Sequence, residues 1–405
     1  MYVYSYTSNR NRDLDLCRKG IEYADRMIEL TDSADAYLEK GNLQIDLYEL
    51  EGAVDSCRKA IERNQEAYYA YNNLGCALLK LRRVEEAVAP LLQAVELDPD
   101  REPLPYMNLA ECYSLLKEYD KAIEMYERVL QFRPNSERVK EDIAKLQVKK
   151  GDYDKAAAYY KKRIKAITSQ YAGKGILFWK RMDIQEEELL LSLYCDIADV
   201  YRQAGKDDRA EAYYEKVIER WKSPLKAKIS CEHLADVAEY YRDKGELEKA
   251  ENIVRKAYWR CRDENDSYEI EHLMFVTASI TFSLGKQKKA REDAIGYFMR
   301  FNERNGAEEE LLADKRYRLM YLYDYAIMSL CAGDLKEAKE YIDRMEGCNV
   351  CVTCECMECF EYYFARGMLA KVEGRLEEAI EYIEKAIAVK GDYPCAQYQL
   401  STIKK

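Results

Sequence analysis

One alternation of large and small side chains recurs along the 405-residue chain, and it limits the possible folds more than any other feature. Two consecutive copies, each about 34 residues long, carry a small residue in a first apolar segment, an alanine in a second, and then a proline. These residues are Gly75, Ala87 and Pro99 in one copy and Ala110, Ala122 and Pro134 in the next. Small side chains are needed where two helices meet closely, and proline ends the second helix. The period therefore predicts helix–turn–helix repeats that stack and share one core.

The alanine of the second helix marks nine repeats in phase. These alanines are Ala53, Ala87, Ala122, Ala156, Ala210, Ala250, Ala290, Ala338 and Ala379. Six repeats also have a glycine between their two helices, as the end of a helix favours; these are Gly151, Gly205, Gly245, Gly285, Gly333 and Gly374. The repeats resemble tetratricopeptide repeats. This resemblance implies an all-α fold, a right-handed α-α superhelical solenoid of helix-turn-helix repeats.

The spacing of the repeats predicts how the chain is divided, because the first four follow at a regular interval and the later ones are farther apart. The expected segments are an N-terminal capping helix over 1–33, four regular repeats over 34–163, an insertion over 164–190, five expanded repeats over 191–393 with a cysteine-rich loop at 347–359, and a C-terminal capping helix over 394–405. The apolar run 176–179 in the insertion has two interpretations, either packing over the junction between repeats or docking a partner.

Charge and composition exclude several classes of partner. The net charge is −11, and the 64 basic residues are interspersed with 75 acidic ones. Nucleic acids and anionic membranes would require a basic stripe, so neither is expected as a partner. We find no run of about 18 uncharged apolar residues that could span a bilayer. The first ten residues are polar, and 14 cysteines without a signal segment fit a reducing compartment, so a cytoplasmic location is expected.

The resemblance implies that the first helix of each repeat lines a concave groove, which binds a protein or peptide segment. The groove is expected to change along the chain from polar through charged to apolar. The expected groove residues are Asn42, Asn72, Met107, Glu111, Asp199, Arg202, Glu239, Arg242, Phe275, Phe282, Tyr323, Ile327, Phe364 and Met368. The family's chaperone-tail binders use a clamp of Lys, Asn and Arg, but Leu38 stands where the lysine is expected.

These features predict a non-catalytic protein- or peptide-binding scaffold. The alternative is a peptide-sensing regulatory receptor of the bacterial quorum-sensing type, whose repeats close around a short peptide. That alternative ranks second, because the residues 1–33 before the first repeat are fewer than the effector domain of such receptors needs.

Five cysteines lie close together between the last two repeats, at Cys348, Cys351, Cys354, Cys356 and Cys359. Four thiolates at such spacings can close a tetrahedron around Zn²⁺. The preferred ligands of such a structural zinc site are Cys348, Cys351, Cys356 and Cys359. Redox chemistry and a reduced loop that binds nothing remain open as alternatives. No other cofactor is expected.

Catalytic residues are scarce, and no enzyme is expected. The two histidines, His233 and His272, lie near the starts of first helices in consecutive repeats, and surface or capping roles are expected for both. Cysteines at helical spacings, such as Cys195, are expected to serve as small buried residues. The segment Gly173–Gly175 lacks the spacing of a phosphate-binding loop.

Overall fold

The computed structural model describes residues 7–171, 182–222, 231–261, 267–305, 318–346, 348, 359–390 and 394–404. These residues form twenty α-helices, and no strand occurs among them. The chain divides into two compact units, an N-terminal unit of Met1–Lys150 and a C-terminal unit of Gly151–Lys405. None of the described helices combines the length and the apolar character needed to cross a membrane.

Within its described residues, 7–150, the N-terminal unit contains eight helices. They are α1 (Thr7–Thr31), α2 (Ala34–Asp46), α3 (Leu50–Arg63), α4 (Tyr68–Lys80), α5 (Val84–Leu97), α6 (Leu104–Leu115), α7 (Tyr119–Phe132) and α8 (Glu137–Lys150). Helices α2 to α7 pack as three consecutive pairs, and α1 packs on α2. The first helices α2, α4 and α6 also contact one another in order, so they form one layer of this unit.

The C-terminal unit contains twelve helices in the described part of the chain. They are α9 (Tyr153–Gln170), α10 (Ile184–Gln203), α11 (Asp207–Lys222), α12 (Cys231–Asp243), α13 (Leu247–Cys261), α14 (Ser267–Ser283), α15 (Gln287–Asn305), α16 (Arg318–Ala332), α17 (Leu335–Met345), α18 (Phe360–Val372), α19 (Leu376–Val389) and α20 (Pro394–Ile403). Helices α10 to α19 pack as five pairs, and the first helices α10, α12, α14, α16 and α18 contact one another in order. The predicted all-α solenoid of helix-turn-helix repeats is confirmed.

The small residues of the repeat are needed by the packing, as the pattern predicted. All nine marker alanines have an exposed fraction of 0%. A Cβ atom added to Gly75 would lie 2.3 Å from Cγ of Leu91, and one added to Gly367 would lie 2.6 Å from Cγ1 of Ile383. Paired helices therefore approach each other too closely for a larger side chain at these positions.

The turns within the repeats use the left-handed backbone conformation throughout. The six predicted turn glycines have φ values between 67° and 90°. In the first three repeats the same turn is made by Tyr48, Arg82 and Lys117, with φ values of 61° to 62°. Side chains disfavour this conformation, so these three turns carry a strain that the later ones lack.

Two helices extend beyond the predicted segments. Helix α9 continues to Gln170 and α10 begins at Ile184, so both ends of 164–190 are helical. Residues 172–181, which include the apolar run 176–179, lie outside the described residues. The remaining boundaries of the predicted segments stay predictions.

Candidate functional site

The first helices of the C-terminal unit surround a cavity of about 340 Å³. One wall comes from α10 and α12 and is charged, and the facing wall comes from α14, α16 and α18 and is largely apolar. The charged wall contains Asp199, Arg202, Asp236, Glu239, Arg242 and Asp243, and the apolar wall contains Phe275, Tyr323, Ile327 and Phe364. Because the two walls differ in polarity, the cavity can orient an amphipathic occupant.

Ion pairs hold the charged wall together. Arg242 donates to Oε1 of Glu239 at 3.1 Å and to Oδ1 of Asp243 at 3.0 Å. Arg202 donates to Oδ1 of Asp199 at 3.0 Å and lies 4.0 Å from Oδ2 of Asp243. Both guanidinium groups are therefore partly neutralised by carboxylates of their own wall, which fixes their orientation.

Burial and charge act in opposite directions on the carboxylates of this wall. Burial disfavours ionised Glu239, but Arg242, His272 and Arg202 outweigh it and lower the pKa of Glu239. At Asp243 burial prevails over Arg242, and the pKa is raised. The pKa shifts of Glu239 and Asp243 therefore have opposite directions, and the network favours the ionised form of Glu239.

Tyr214 of α11 lines the cavity next to Asp199 of the charged wall. Its exposed fraction is 1%, and its hydroxyl donates to Oδ1 of Asp199 at 2.6 Å. Burial and the charge of Asp199 raise the pKa of Tyr214 well above its usual value, so the phenol keeps its proton and acts as a fixed donor.

The apolar wall combines half-buried and buried side chains. Phe275 and Tyr323 are half-buried, whereas Ile327 and Phe364 have exposed fractions of 7% and 4%. The ring of Phe275 packs edge to face on Tyr297, with centroids 5.9 Å apart. Phe275 and Tyr323 are therefore the side chains of this wall that an occupant could cover most.

The C-terminal helix α20 closes one side of the cavity. Cys395 lines the cavity, and α20 packs on α12 as well as on α19. Lys371, in α18, donates to Gln399 at 2.6 Å and to Thr402 at 2.8 Å. Gln399 in turn donates to Ser283, at the end of α14, at 3.5 Å. Helix α20 thus crosses the carboxyl ends of three first helices that are far apart in sequence.

The structure brings eight of the fourteen predicted groove residues together around this cavity. They are Asp199, Arg202, Glu239, Arg242, Phe275, Tyr323, Ile327 and Phe364. Two further predicted residues of the same unit lie outside it: Met368 is buried, with an exposed fraction of 6%, and Phe282 is half-buried against the core. Their place in a partner-binding groove stays a prediction.

The four predicted groove residues of the N-terminal unit differ in their exposure. Asn42 and Glu111 are exposed and Met107 is half-buried. The prediction of an open position was wrong for Asn72, whose exposed fraction is 2%. Its Oδ1 accepts a hydrogen bond from Nδ2 of Asn108 at 3.0 Å, which links α4 to α6. Neighbouring first helices approach closely here, so this side chain is used within the fold.

Only the ends of the predicted zinc loop lie within the described residues. Cys351 and Cys356 lie outside them. The Cys359 thiol caps α18 by accepting from the backbone N–H of Tyr362 at 3.3 Å, and Cys348 donates to the carbonyl of Arg344 at 3.3 Å. The zinc site at this loop stays a prediction.

His233 does not have the surface role that the sequence predicted. Its exposed fraction is 8%, and burial lowers its pKa to about 4. The packing of α12 against α10 buries it, and position along the helix alone gave no signal of that contact. His272, one repeat later, is half-buried.

Comparison with known proteins agrees with this architecture. Family profiles described as tetratricopeptide repeat match residues 31–102, 103–136, 138–167, 191–220 and 360–393. The chain is 25% identical over 226 residues to a TPR repeat-containing protein of Methanocaldococcus jannaschii, covering 53% of this chain and 36% of that protein. It is 29% identical over 148 residues to the Hsp70-Hsp90 organizing protein 1 of Glycine max, covering 35% and 26%. The chain thus spans well under two thirds of the length of these relatives.

Among solved structures, a tetratricopeptide repeat protein from Parabacteroides merdae is similar over 92% of this chain and 100% of that chain. The sequence identity is 14% and the TM-score is 0.42.

Proposed function

The chain is a tetratricopeptide repeat protein, and we propose that it is a non-catalytic scaffold that binds a protein or peptide segment in the cavity of its C-terminal unit. The observation that carries this proposal is the pairing of a charged wall with an apolar wall around about 340 Å³. Ligand sites in proteins typically measure about 300–1,000 Å³. This cavity therefore suits a few side chains of a segment rather than a folded domain.

The chemistry of the two walls suggests which segment would bind. Phe275 and Tyr323 can cover a large apolar side chain. The charged residues that line the cavity are four carboxylates, two arginines and Lys390, which leaves a small acidic excess. A segment with an apolar anchor beside a basic residue would match both walls. Because the arginines are already paired, they add little attraction for an acidic segment.

A peptide-display selection on the full chain tests this function. Enriched peptides are expected to carry a large apolar residue next to Lys or Arg, and their affinity is measured by calorimetry. Phe275→Ala combined with Tyr323→Ala should weaken binding by about 10- to 100-fold, as loss of a hot spot does. Phe282→Ala is the matched control, because Phe282 lies on the same helix as Phe275 but outside the cavity.

The double variant decides the outcome once its fold has been verified by circular dichroism. If it binds every selected peptide as tightly as the unmodified chain, the cavity is not the binding site. Equal losses in the double variant and in Phe282→Ala would show a general effect on the helix rather than a loss of contact.

A peptide-sensing regulatory receptor is the second candidate, and the position of α20 across the cavity favours it. A short peptide that fills the cavity would alter the contacts of Cys395, the α20 residue that lines it. Hydrogen exchange separates the two candidates. A sensor should show changed exchange in 394–403 on peptide binding, whereas a plain scaffold should show protection of the cavity walls alone.

A further inference from the structure

Three side chains with metal-binding chemistry meet between α10 and α12. Cys195 of α10 and His233 and Asp236 of α12 bring a sulfur, an imidazole nitrogen and a carboxylate oxygen within 4.8 Å of one another. Cys195 and His233 are buried, with exposed fractions of 4% and 8%, and Asp236 is half-buried at the cavity wall. His233 and Asp236 are three residues apart, so they share one face of α12.

The imidazole of His233 gives an independent reason to look for a ligand at this place. Its Nε2 is buried and has no hydrogen-bond partner among the described residues. The backbone of Glu188 accepts a hydrogen bond from the same ring. The ring proton therefore belongs on Nδ1, which leaves the lone pair of Nε2 facing the interior without a partner. An unsatisfied buried acceptor is costly, and a histidine oriented by a backbone carbonyl is typical of metal ligands.

We propose that Cys195, His233 and Asp236 bind a transition-metal ion, with Zn²⁺ as the best match. Thiolate, imidazole and carboxylate are all ligands of zinc, whereas calcium and magnesium are bound by oxygen atoms. With zinc bonds of about 2.0–2.3 Å, the ligand atoms of a tetrahedral site lie about 3.3–3.8 Å apart. The three atoms are already within 4.8 Å, so small side-chain rotations close the site.

The proposed ion would link two neighbouring repeats and leave one coordination position for water or another donor. Asp236 belongs both to this group and to the cavity wall, so the ion would lie beside the cavity. The proposal does not depend on the proposed scaffold function. It is also distinct from the predicted zinc loop, which shares no residue with it.

The experiment must keep the two possible metal sites apart. A background chain with Cys351→Ser, Cys354→Ser and Cys356→Ser removes the middle of the loop and keeps Cys195. After metal is removed with a chelator, the full-length background chain is titrated with Co²⁺, whose spectrum reports its ligands. We expect one bound ion, a thiolate-to-cobalt charge-transfer band and the intense visible bands of tetrahedral cobalt, all of which Zn²⁺ then displaces.

Single substitutions in this background identify the ligands. Cys195→Ser should remove the charge-transfer band. His233→Gln should weaken cobalt binding by at least about 10- to 100-fold, because loss of an outer-shell partner alone has an effect of that size and His233 is a direct ligand. His272→Gln and Cys331→Ser are matched controls with a histidine and a buried cysteine elsewhere in the same unit, and both should leave the spectrum unchanged.

Several results would overturn the proposal. The background chain could bind no cobalt, or bind it without the charge-transfer band, or give the same spectrum after Cys195→Ser. X-ray absorption of the zinc-loaded background chain gives an answer even if a variant fails to fold. One sulfur with lighter ligands agrees with the proposal, and a shell of sulfur alone or oxygen alone contradicts it.

Discussion

Replacing Gly75 with alanine would insert a methyl group between α4 and α5, at the closest approach of a repeat's two helices. The added Cβ would lie 2.3 Å from Cγ of Leu91, whereas carbon atoms prefer about 3.5–4.0 Å. The obstacle is the branch point of a side chain with an exposed fraction of 0%, so rotation of its tip cannot relieve the clash. Overpacking of this kind costs about 1–3 kcal/mol.

Part of that cost is offset, because alanine favours a helix over glycine by about 1 kcal/mol. Because the clash is with the branch point of a buried side chain, its cost belongs in the upper part of the range. We therefore expect a net fall of about 1–2 kcal/mol in the free energy of unfolding. Hydrogen exchange of residues 68–97 measures the local opening directly and should become about 5- to 30-fold faster. Adding Leu91→Ala should cost less in this variant than in the unmodified chain, because the methyl group fills part of the new space.

Gly296→Ala is the matched control for this substitution. It also lies within a helix, but its nearest neighbour would be Cε of Met274, the flexible end of a side chain, at 3.0 Å. That variant should be neutral or stabilised by up to about 1 kcal/mol. If Gly75→Ala behaved in the same way, close helix contact would not be the reason for glycine at this position.

Three further substitutions test other parts of the molecule, each by urea unfolding. Burial, with the charge of Glu361, raises the pKa of Asp324 to about 8 from 3.8 in the unfolded chain. Stability should therefore fall as the pH rises between these values, and Asp324→Asn should flatten that dependence; an unchanged slope would contradict this. Arg220 pairs with Glu187 at 2.8 Å, with side-chain exposures of 2% and 7%. Arg220→Met should lower the free energy of unfolding by about 3–5 kcal/mol, because it leaves the charge of Glu187 buried without its partner, and adding Glu187→Leu should restore much of this loss. If the second substitution restored nothing, an isolated buried charge would not be the cause. Lys117→Gly should stabilise by up to about 1 kcal/mol because its φ is 61°; a loss would mean that its side chain matters more than its backbone.

The repeat pattern predicted the parts of the fold that depend on local packing. The alanines of the second helices and the turn glycines lie where the pattern placed them: the alanines are fully buried, and the glycines have positive φ values. The turns at Tyr48, Arg82 and Lys117 were not predictable in this way. Nothing in these side chains signals a left-handed backbone, which is imposed by the helices on either side.

The candidate site was predictable in composition but not in shape. The order of residues along the first helices predicted a charged stretch followed by an apolar one, since helical spacing assigns residues to faces. It did not predict that the two stretches face each other across a cavity. The burial of Asn72 and His233 depends on how neighbouring first helices approach, which the sequence of one helix does not contain. The closing contact between Gln399 and Ser283 joins residues 116 positions apart, beyond the reach of any repeat-based inference.

The contacts of α20 also bear on how the C-terminal unit unfolds. In an open array each repeat touches only its neighbours, so the last repeat can detach without disturbing the others. Here α20 follows the final pair and packs on α12, and its Gln399 is bonded to both Lys371 and Ser283. Fraying from the end must break contacts with the middle of the array at the same time. The stretch from α12 to α20 should therefore open as one cooperative block rather than repeat by repeat.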